Sequence, residues 1–561
     1  MEQSRLLIAI VLCLVIFLAW QFFFAPPPPP QQKPQEPSQK AEAPVGEKQQ
    51  AVQEKDQAKP YSPESDQKGV STPSDAAAAA PSTVRIITVQ TPLYEAQISE
   101  NEAAIFSFLL KNYRERVAAD SPLKQVLPND QAYGLGHLGF SGKSVPGLDK
   151  AAFSTDLIGD ALQVNTSSHN LTFTWRSPEG VVIEKTYRFN SDSYVIGLNV
   201  TIKNGSGRII QDRLFVSING KTPSDKRMYA FQGPSALINN ELKQIKIKNL
   251  EDQNAFDGQI KWLAIQSRYF MSGLIPDQLE EARMHLALPS DKVVMAQYQQ
   301  PEKSIPPGNQ YTYPYRLYIG PKKISYLKNV GNDLEKLVDF GWFDFIARPC
   351  LWLLNLFYSV IPNYGIAIII LTILVKVLLW PLGQKSYKSM SEMKKLQPLM
   401  KEIREKYKDD KQRMNQEVMG LYKTYKINPL GGCLPMVVQL PVFFALYRML
   451  YQAIELRHAP FFLWIDDLSA PDRLFRFGFS IPFMEPPYGI PVLTVIMGAS
   501  MLLQQKMSPP MGDATQAKMM MFMPIIFTVI FINFSSGLVL YWLVNNILSI
   551  AQQYYTQKKY A

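Results

Sequence analysis

Residues 365–380 read GIAIIILTILVKVLLW. A run this apolar has to leave water, into a protein interior or into lipid, yet it carries one charge, Lys376. A charged side chain inside a membrane span costs roughly 2.5–3.5 kcal/mol on insertion scales, so by default it marks a functional site. Here it also has an escape. Lys376 lies one turn before Trp380, a residue type enriched at membrane interfaces. Four residues of helix rise only about 6 Å, within reach of a snorkelling lysine stem. On this stretch alone both readings stand.

Further apolar runs set the architecture. Residues 6–24 form one of about 19 residues, just long enough for a span. Arg5 precedes it, and the exit FFFAPPPPP has no small-x-small cleavage pattern. We read it as an uncleaved signal anchor. Residues 26–81 are rich in Pro, Gln, Ala, Glu and Lys with almost no aromatics. Such a segment buries too little apolar surface to fold and reads as a disordered tether. From Cys350 onward the runs at 351–380, 434–450, 489–504, 519–534 and 537–550 suit membrane spans, the first broken near Pro362. With the anchor these make six. Only NFSSG joins the last two, a tight hairpin.

Between about 83 and 325 the period changes to two. VRIITVQ, VVIEKTYRF, YVIGLNVTI and YTYPYRLYIG alternate inward and outward residues between turn formers such as Asn204-Gly205. Many short strands and little helix predict a large all-β sandwich, a supersandwich. His137 or His169 with Glu184 makes no recognisable acid–base pair, and we read these as ordinary surface or strand residues. Apolar residues at 324–338 fall at helical spacing before FGWFDFIARP. They suggest an amphipathic helix in the membrane interface, or a helix capping the β-domain, or both in succession.

Charge placement orients the spans. The loop 384–426 carries 12 Lys and Arg against 6 acids, whereas 451–488 holds few basic residues. Under the positive-inside rule the basic loops and both termini are cytoplasmic and the β-domain lies across the membrane. Within 384–426, apolar residues at spacings of three or four outline two helices, with Asp409-Asp410 between them and Pro398 interrupting the first. Their wet face is strongly basic. It suits docking to polyanions such as ribosomal RNA or acidic headgroups, or it does no more than satisfy topology.

The 561 residues carry a net charge of +10, three cysteines and four scattered histidines. No metal-ligand spacing, P-loop, dinucleotide fingerprint or GxSxG occurs. We expect no enzyme activity, no cofactor and no small-molecule substrate. Polar residues do occur inside the spans: Gln439 in one, Asn545-Asn546 in another, Thr372 one turn from Lys376. Such groups in lipid need partners or water. They imply either one shared wet cavity or pairwise bonds between helices.

The stretch KINPLGGCLPMVVQLPVFFALYRML at 426–450 resembles the signature of the YidC family of membrane protein insertases. WIDDLSAPD at 464–472, QQKMSPP at 504–510, MMMFMPIIFTVIF at 519–531 and SSGLVLYWLVNN at 535–546 extend the resemblance across about residues 340–555. The N-terminal half is similar to the Gram-negative branch, with its extra span and large periplasmic β-domain. The resemblance implies domains at 1–25 (anchor), 26–82 (linker), 83–325 (periplasmic β-sandwich), 326–349 (interfacial helix region), 350–555 (five-span core with a cytoplasmic helical hairpin at 384–426) and 556–561 (tail).

It further implies a multi-pass protein of the bacterial inner membrane, with a hydrophilic groove open to the cytoplasm and to lipid. Lys376 matches the family's single groove charge, usually Arg; Lys keeps the charge but not the five-donor fork. Thr372, Gln439, Trp542 and Asn545 would line the groove. Leu440, Pro441, Val442, Phe443, Met523 and Phe527 match the apolar slide along which substrate helices leave, where flexible Met repacks against varied partners. Lys394, Lys395, Lys401 and Arg404 would contact the ribosome. Nascent membrane proteins, the ribosome, the Sec translocon with its accessory proteins, and the bilayer are the implied partners. Insertion would need no nucleotide.

Overall fold

A computed structural model describes residues 84–223, 230–425, 434–508 and 514–560. The expected anchor, the tether and the first eight residues of the 426–450 signature lie outside the described residues. Residues 83–398 and 422–561 make one compact unit, and 399–421 belong to another.

The period-2 runs become strands. β1 (Ile86–Gln90), β2 (Tyr94–Ser99) and β3 (Ala104–Arg114) pair antiparallel within a five-stranded sheet. A thirteen-stranded sheet carries β4 (His169–Arg176), β5 (Val181–Phe189), β6 (Val195–Asn204), β7 (Leu214–Lys221), β8 (Ala255–Gln266), β9 (Phe270–Pro276), β10 (Glu281–Ser290), β11 (Val293–Gln299) and β12 (Gln310–Pro321). Their order is β7-β11-β10-β8-β9-β12-β6-β5-β4, with shorter strands at both ends.

β8 turns this sheet into two layers. Its first half pairs with β10, Ala255 opposite His285, and its second half with β9, Leu263 opposite Leu274. The layers then face each other closely. A Cβ on Gly220 of β7 would stand 2.5 Å from the Ile265 side chain of β8, so glycine is required there. Trp262, Tyr298 and Tyr315 are fully buried between the layers.

One charge sits in that core. In β5 the inward row is Val181, Ile183, Lys185, Tyr187 and Phe189. Lys185 donates from Nζ to the carbonyls of Glu102 (2.8 Å), Ala103 (2.6 Å) and Gly136 (2.7 Å), so each ammonium hydrogen has an acceptor. Glu102 and Ala103 hold left-handed backbone, φ 55° and 45°, which turns both carbonyls toward it. Tyr187 donates to the Ala103 carbonyl at 2.7 Å. Burial pushes the Lys185 pKa well down. Burial, then the Lys185 charge, lowers His137 to about 3, so its ring is neutral and donates to the Glu102 carboxylate. Glu184 pairs instead with Lys203 at 2.6 Å and His169 is exposed. The histidines and Glu184 thus form no site together.

The stretch 324–348 holds two helices in succession. α1 (Ile324–Val330) stops at Gly331, φ 83°, and two short 3-10 turns precede α2 (Asp344–Val360). Leu327, Leu334 and Phe340 are buried in the common core, while Trp342 and Phe345 are exposed. The first part therefore caps the β-domain and the second turns its aromatics outward.

The run 351–380 is likewise two helices. It leaves α2 at Val360, and α3 (Tyr364–Leu378) restarts where Asn363 accepts from the Ile366 N–H at 3.1 Å, a side-chain N-cap. α4 (Trp380–Lys395) continues at a 65° bend, and α5 (Gln397–Lys406) opens with Pro398 in its first turn, where proline is tolerated. Asp410 caps α6 (Lys411–Thr424), accepting from the Arg413 N–H at 2.9 Å. α7 (Leu434–Gln452), α8 (Val492–Met507), α9 (Ala514–Phe531) and α10 (Ser536–Tyr560) complete the helices. No single helix among the described residues is both long and apolar enough to cross a membrane. α3 and α4 reach that length and apolarity as a bent pair.

The strands and helices are joined by arginines. Arg268, in the β8–β9 turn, donates to the Tyr451 carbonyl at 2.8 Å and lies 3.7 Å over the Tyr451 ring. Arg457 donates to the Arg114 carbonyl and stacks 5.3 Å over Phe270.

Replacing Lys185 by Met would take the lysine's hydrogen bond from the Glu102 and Gly136 carbonyls, at about 1–3 kcal/mol for each, and leave the Ala103 carbonyl to Tyr187 alone. We expect Lys185→Met to lower the denaturant midpoint of the purified chain well beyond the loss from Lys203→Met, whose partner is partly exposed. Equal midpoints would remove Lys185 from the core's essential contacts.

Candidate functional site

α10 organises the helical part. Asn545, Ser549, Gln552 and Thr556 recur at four, three and four residues, which puts them on one face of a helix. Ser549, Gln552 and Thr556 are buried. This face meets α3 and α4. Lys376, on the last turn of α3, donates to the Ser549 hydroxyl at 2.7 Å. That hydroxyl donates to the Asn545 carbonyl at 2.7 Å. The Asn545 side-chain oxygen accepts from Gln439 of α7 at 2.8 Å. One polar row therefore ties α3, α10 and α7. Gln552 donates to the Trp380 carbonyl in the first turn of α4 at 3.0 Å.

A second polar row on α10 faces α8. Asn546 donates to Ser500 at 3.2 Å, Gln553 to Ser508 at 3.4 Å, and Gln557 to the Met507 carbonyl at 3.1 Å. α8 in turn lies close to α9. A Cβ on Gly498 would stand 2.1 Å from the Thr528 hydroxyl, so only glycine allows the approach.

The residues expected at the groove thus fall into two sets. Lys376, Gln439 and Asn545 come together. Thr372 does not join them: its hydroxyl, fully buried, bonds the Ile368 carbonyl of its own helix at 2.6 Å. Trp542, one turn before Asn545, packs edge-on against Phe443 (4.7 Å) and Phe531 (5.0 Å). Of the residues expected on the slide, Leu440, Pro441, Val442, Phe443 and Phe527 are half-buried and Met523 is exposed. Phe522, Ile525, Ile526, Val529 and Ile530 of α9 are exposed too, a broad apolar face. Lys394 and Lys395 are exposed at the end of α4; on α5, Lys401 is exposed and Arg404 half-buried.

Ser549, Gln552 and Gln553 were not picked out from the sequence. Their signal was the helical spacing of polar residues, which an apolar-run search passes over: Ser549 and Gln552 follow Asn545 by four and seven residues, and Gln553 follows Asn546 by seven.

The opposite end of the helices is closed by the WIDDLSAPD loop. Asp472 accepts from the Trp464 indole N–H and from the Leu493 N–H in the first turn of α8. Asp467 accepts from the His458 and Ser469 N–H groups at 3.0 and 2.8 Å, and its carbonyl from the Ser536 hydroxyl at 2.8 Å. Arg473 donates to the Ile532 carbonyl at 2.8 Å. These bonds fasten the ends of α8, α9 and α10 to one loop.

Two family models match the chain. The one described as 60Kd inner membrane protein covers residues 356–561, and the one described as YidC periplasmic domain covers 86–353. A protein of Syntrophus aciditrophicus (strain SB), named Membrane protein insertase YidC, is 43% identical over 516 residues, 89% of this chain and 92% of its own. A protein of the same name from Geotalea daltonii is 40% identical over 566 residues, covering 99% of both chains. A solved structure titled as an active YidC insertase with the first transmembrane domain resolved is 18% identical. It covers 84% of this chain and 95% of its own at a TM-score of 0.36.

The Gln439–Asn545 bond is open to a double-mutant cycle. Gln439→Leu and Asn545→Leu should each lower thermal stability in detergent, and the double variant should be less destabilised than the sum by about 1 kcal/mol. Strict additivity would show that the two amides do not interact.

Proposed function

The chain belongs to the YidC family of membrane protein insertases, a family of inner-membrane proteins with a periplasmic domain, and from that premise we propose how it works. It inserts and folds integral membrane proteins in the bacterial inner membrane, alone or with the Sec translocon. It does so without hydrolysing nucleotide, and its termini and basic helices α5 and α6 lie in the cytoplasm. Six spans carry it, the residues 6–24 supplying the first.

The observation that supports this reading best is the Lys376–Ser549–Asn545–Gln439 row. It places the ammonium group of α3 beside polar side chains from two other helices, α10 and α7. On α10 the polar faces begin at Asn545. Between Ser536 at the helix start and Asn545, the buried side chains Leu538, Val539, Leu540, Tyr541 and Leu543 are apolar or aromatic. The amides that bond to other helices thus gather in the half of α10 that the charge pattern assigns to the cytoplasm. A channel or transporter needs a polar path through both halves; a groove open to one side does not.

In this mechanism the groove shortens the apolar distance that a polar tail must cross. Lys376 attracts an acidic tail during that passage. The substrate's apolar helix then leaves along Pro441, Val442, Phe443 and the exposed face of α9. Its transfer into lipid supplies about 25 cal/mol per Å² of apolar surface buried, so small proteins with short translocated regions are the suited substrates. Lys394, Lys395, Lys401 and Arg404 receive the translating ribosome.

In vesicles reconstituted with purified protein, Lys376→Glu should strongly reduce insertion of a substrate with an acidic translocated tail, and Lys376→Arg should retain it. Normal insertion by the Glu variant would sink the groove charge. Neutralising Lys394, Lys395, Lys401 and Arg404 together should weaken cosedimentation with translating ribosomes most at low salt, where surface charges are least screened. Unchanged binding would leave those charges with topology alone.

A further inference from the structure

Lys376 lies in the last turn of α3, and its neighbours Val377 and Leu378 are exposed. A four-carbon stem here is free to swing along the outside of the helix toward water. It is instead held inward by one contact, the 2.7 Å bond from Nζ to Ser549. Tyr387 of α4 lies within hydrogen-bonding reach of the same serine.

The chemistry of that contact is specific. Ser549 gives its only hydrogen to the Asn545 carbonyl, one turn back on α10. Toward Lys376 it can therefore present only lone pairs. It accepts one of the three ammonium hydrogens and cancels none of the charge. An aspartate in its place would form an ion pair and neutralise the site. The other two ammonium hydrogens meet no acceptor among the described residues. They remain for an incoming carboxylate, which binds a charged donor more strongly than a neutral acceptor does.

We propose that Ser549 is the positioning residue of the insertase: it holds the Lys376 ammonium inside the helices, charged and two-thirds unsatisfied, for the acidic tail of a substrate. The proposal rests on the groove reading above and adds a residue that acts through Lys376 rather than on the substrate.

The test compares Ser549→Ala, Ser549→Thr, Ser549→Asp and Lys376→Ala in full-length reconstituted protein, with two substrates that differ only in an acidic or an uncharged translocated tail. Ser549→Ala is expected to slow insertion of the acidic-tail substrate roughly fivefold, the weight of one hydrogen bond, and to leave the uncharged one unchanged. Thr, which keeps the hydroxyl, should restore the rate. Asp should slow the acidic-tail substrate as much as Lys376→Ala does. Adding Ser549→Ala to Lys376→Ala should slow it no further.

An equal loss for both tails would mean that Ser549 only packs α10 against α3, and would overturn the proposal. So would an unchanged rate for Ser549→Ala beside a loss for Lys376→Ala, which would leave the groove charge standing. An unchanged rate for Lys376→Ala would instead remove the groove charge itself, and with it any part for Ser549.

Discussion

The helical part depends on a rule about buried polar groups: each has to find a partner, because water is excluded. α10 carries seven polar groups, five buried and two half-buried, between Asn545 and Gln557: Asn545, Asn546, Ser549, Gln552, Gln553, Thr556 and Gln557. Six of the seven bond to another helix, as donor or acceptor, in two rows. Thr556 bonds within α10, to the Gln552 carbonyl. One row sets α3, α4 and α7 against α10, and the other sets α8. An all-apolar helix would bury as much surface, but it would not fix which neighbour faces which side. The polar rows supply that register, and they do so in the half of the helix where a charge has to be tolerated.

The β-domain uses the same rule with a different outcome. Lys185 stands in an inward apolar row, and three carbonyls answer its three hydrogens. Its donors are exhausted, so it is closed to any ligand and serves only to join β5 to the 102–103 and 136 turns. Lys376 differs in this one respect. A single hydroxyl meets it, and its charge is left over. Lys185 and Lys376 are thus told apart by counting acceptors.

Much of this organisation was legible in the sequence. The period-2 runs became strands because alternation can bury only one face of a pleat, and VVIEKTYRF lies in β5 with its odd residues inward, Lys185 among them. The Asn363 cap, the Asp410 cap and the short turn before Ser536 follow from local hydrogen bonding that needs no distant partner. Over 324–348 the spacing allowed an interfacial helix, a capping helix or both in succession, but it does not register Gly331, whose left-handed backbone ends α1. The break near Pro362 was legible and separates α2 from α3, whereas the 65° bend between α3 and α4 was not.

The pairing of polar residues was out of reach. Gln439, Asn545 and Lys376 could be named as polar groups in apolar runs, but not as members of one row. The link between them is Ser549, an inconspicuous residue 173 positions from Lys376. Thr372 shows the converse: one turn from Lys376 in sequence, it turns to its own helix. Sequence by itself determined which segments are apolar, which alternate, where charge accumulates and the family to which the chain belongs, because these are properties of residues and their near neighbours. Only the tertiary structure decided which polar groups meet and which hydrogens stay unclaimed, because helix rotation and crossing bring together residues that no local spacing relates.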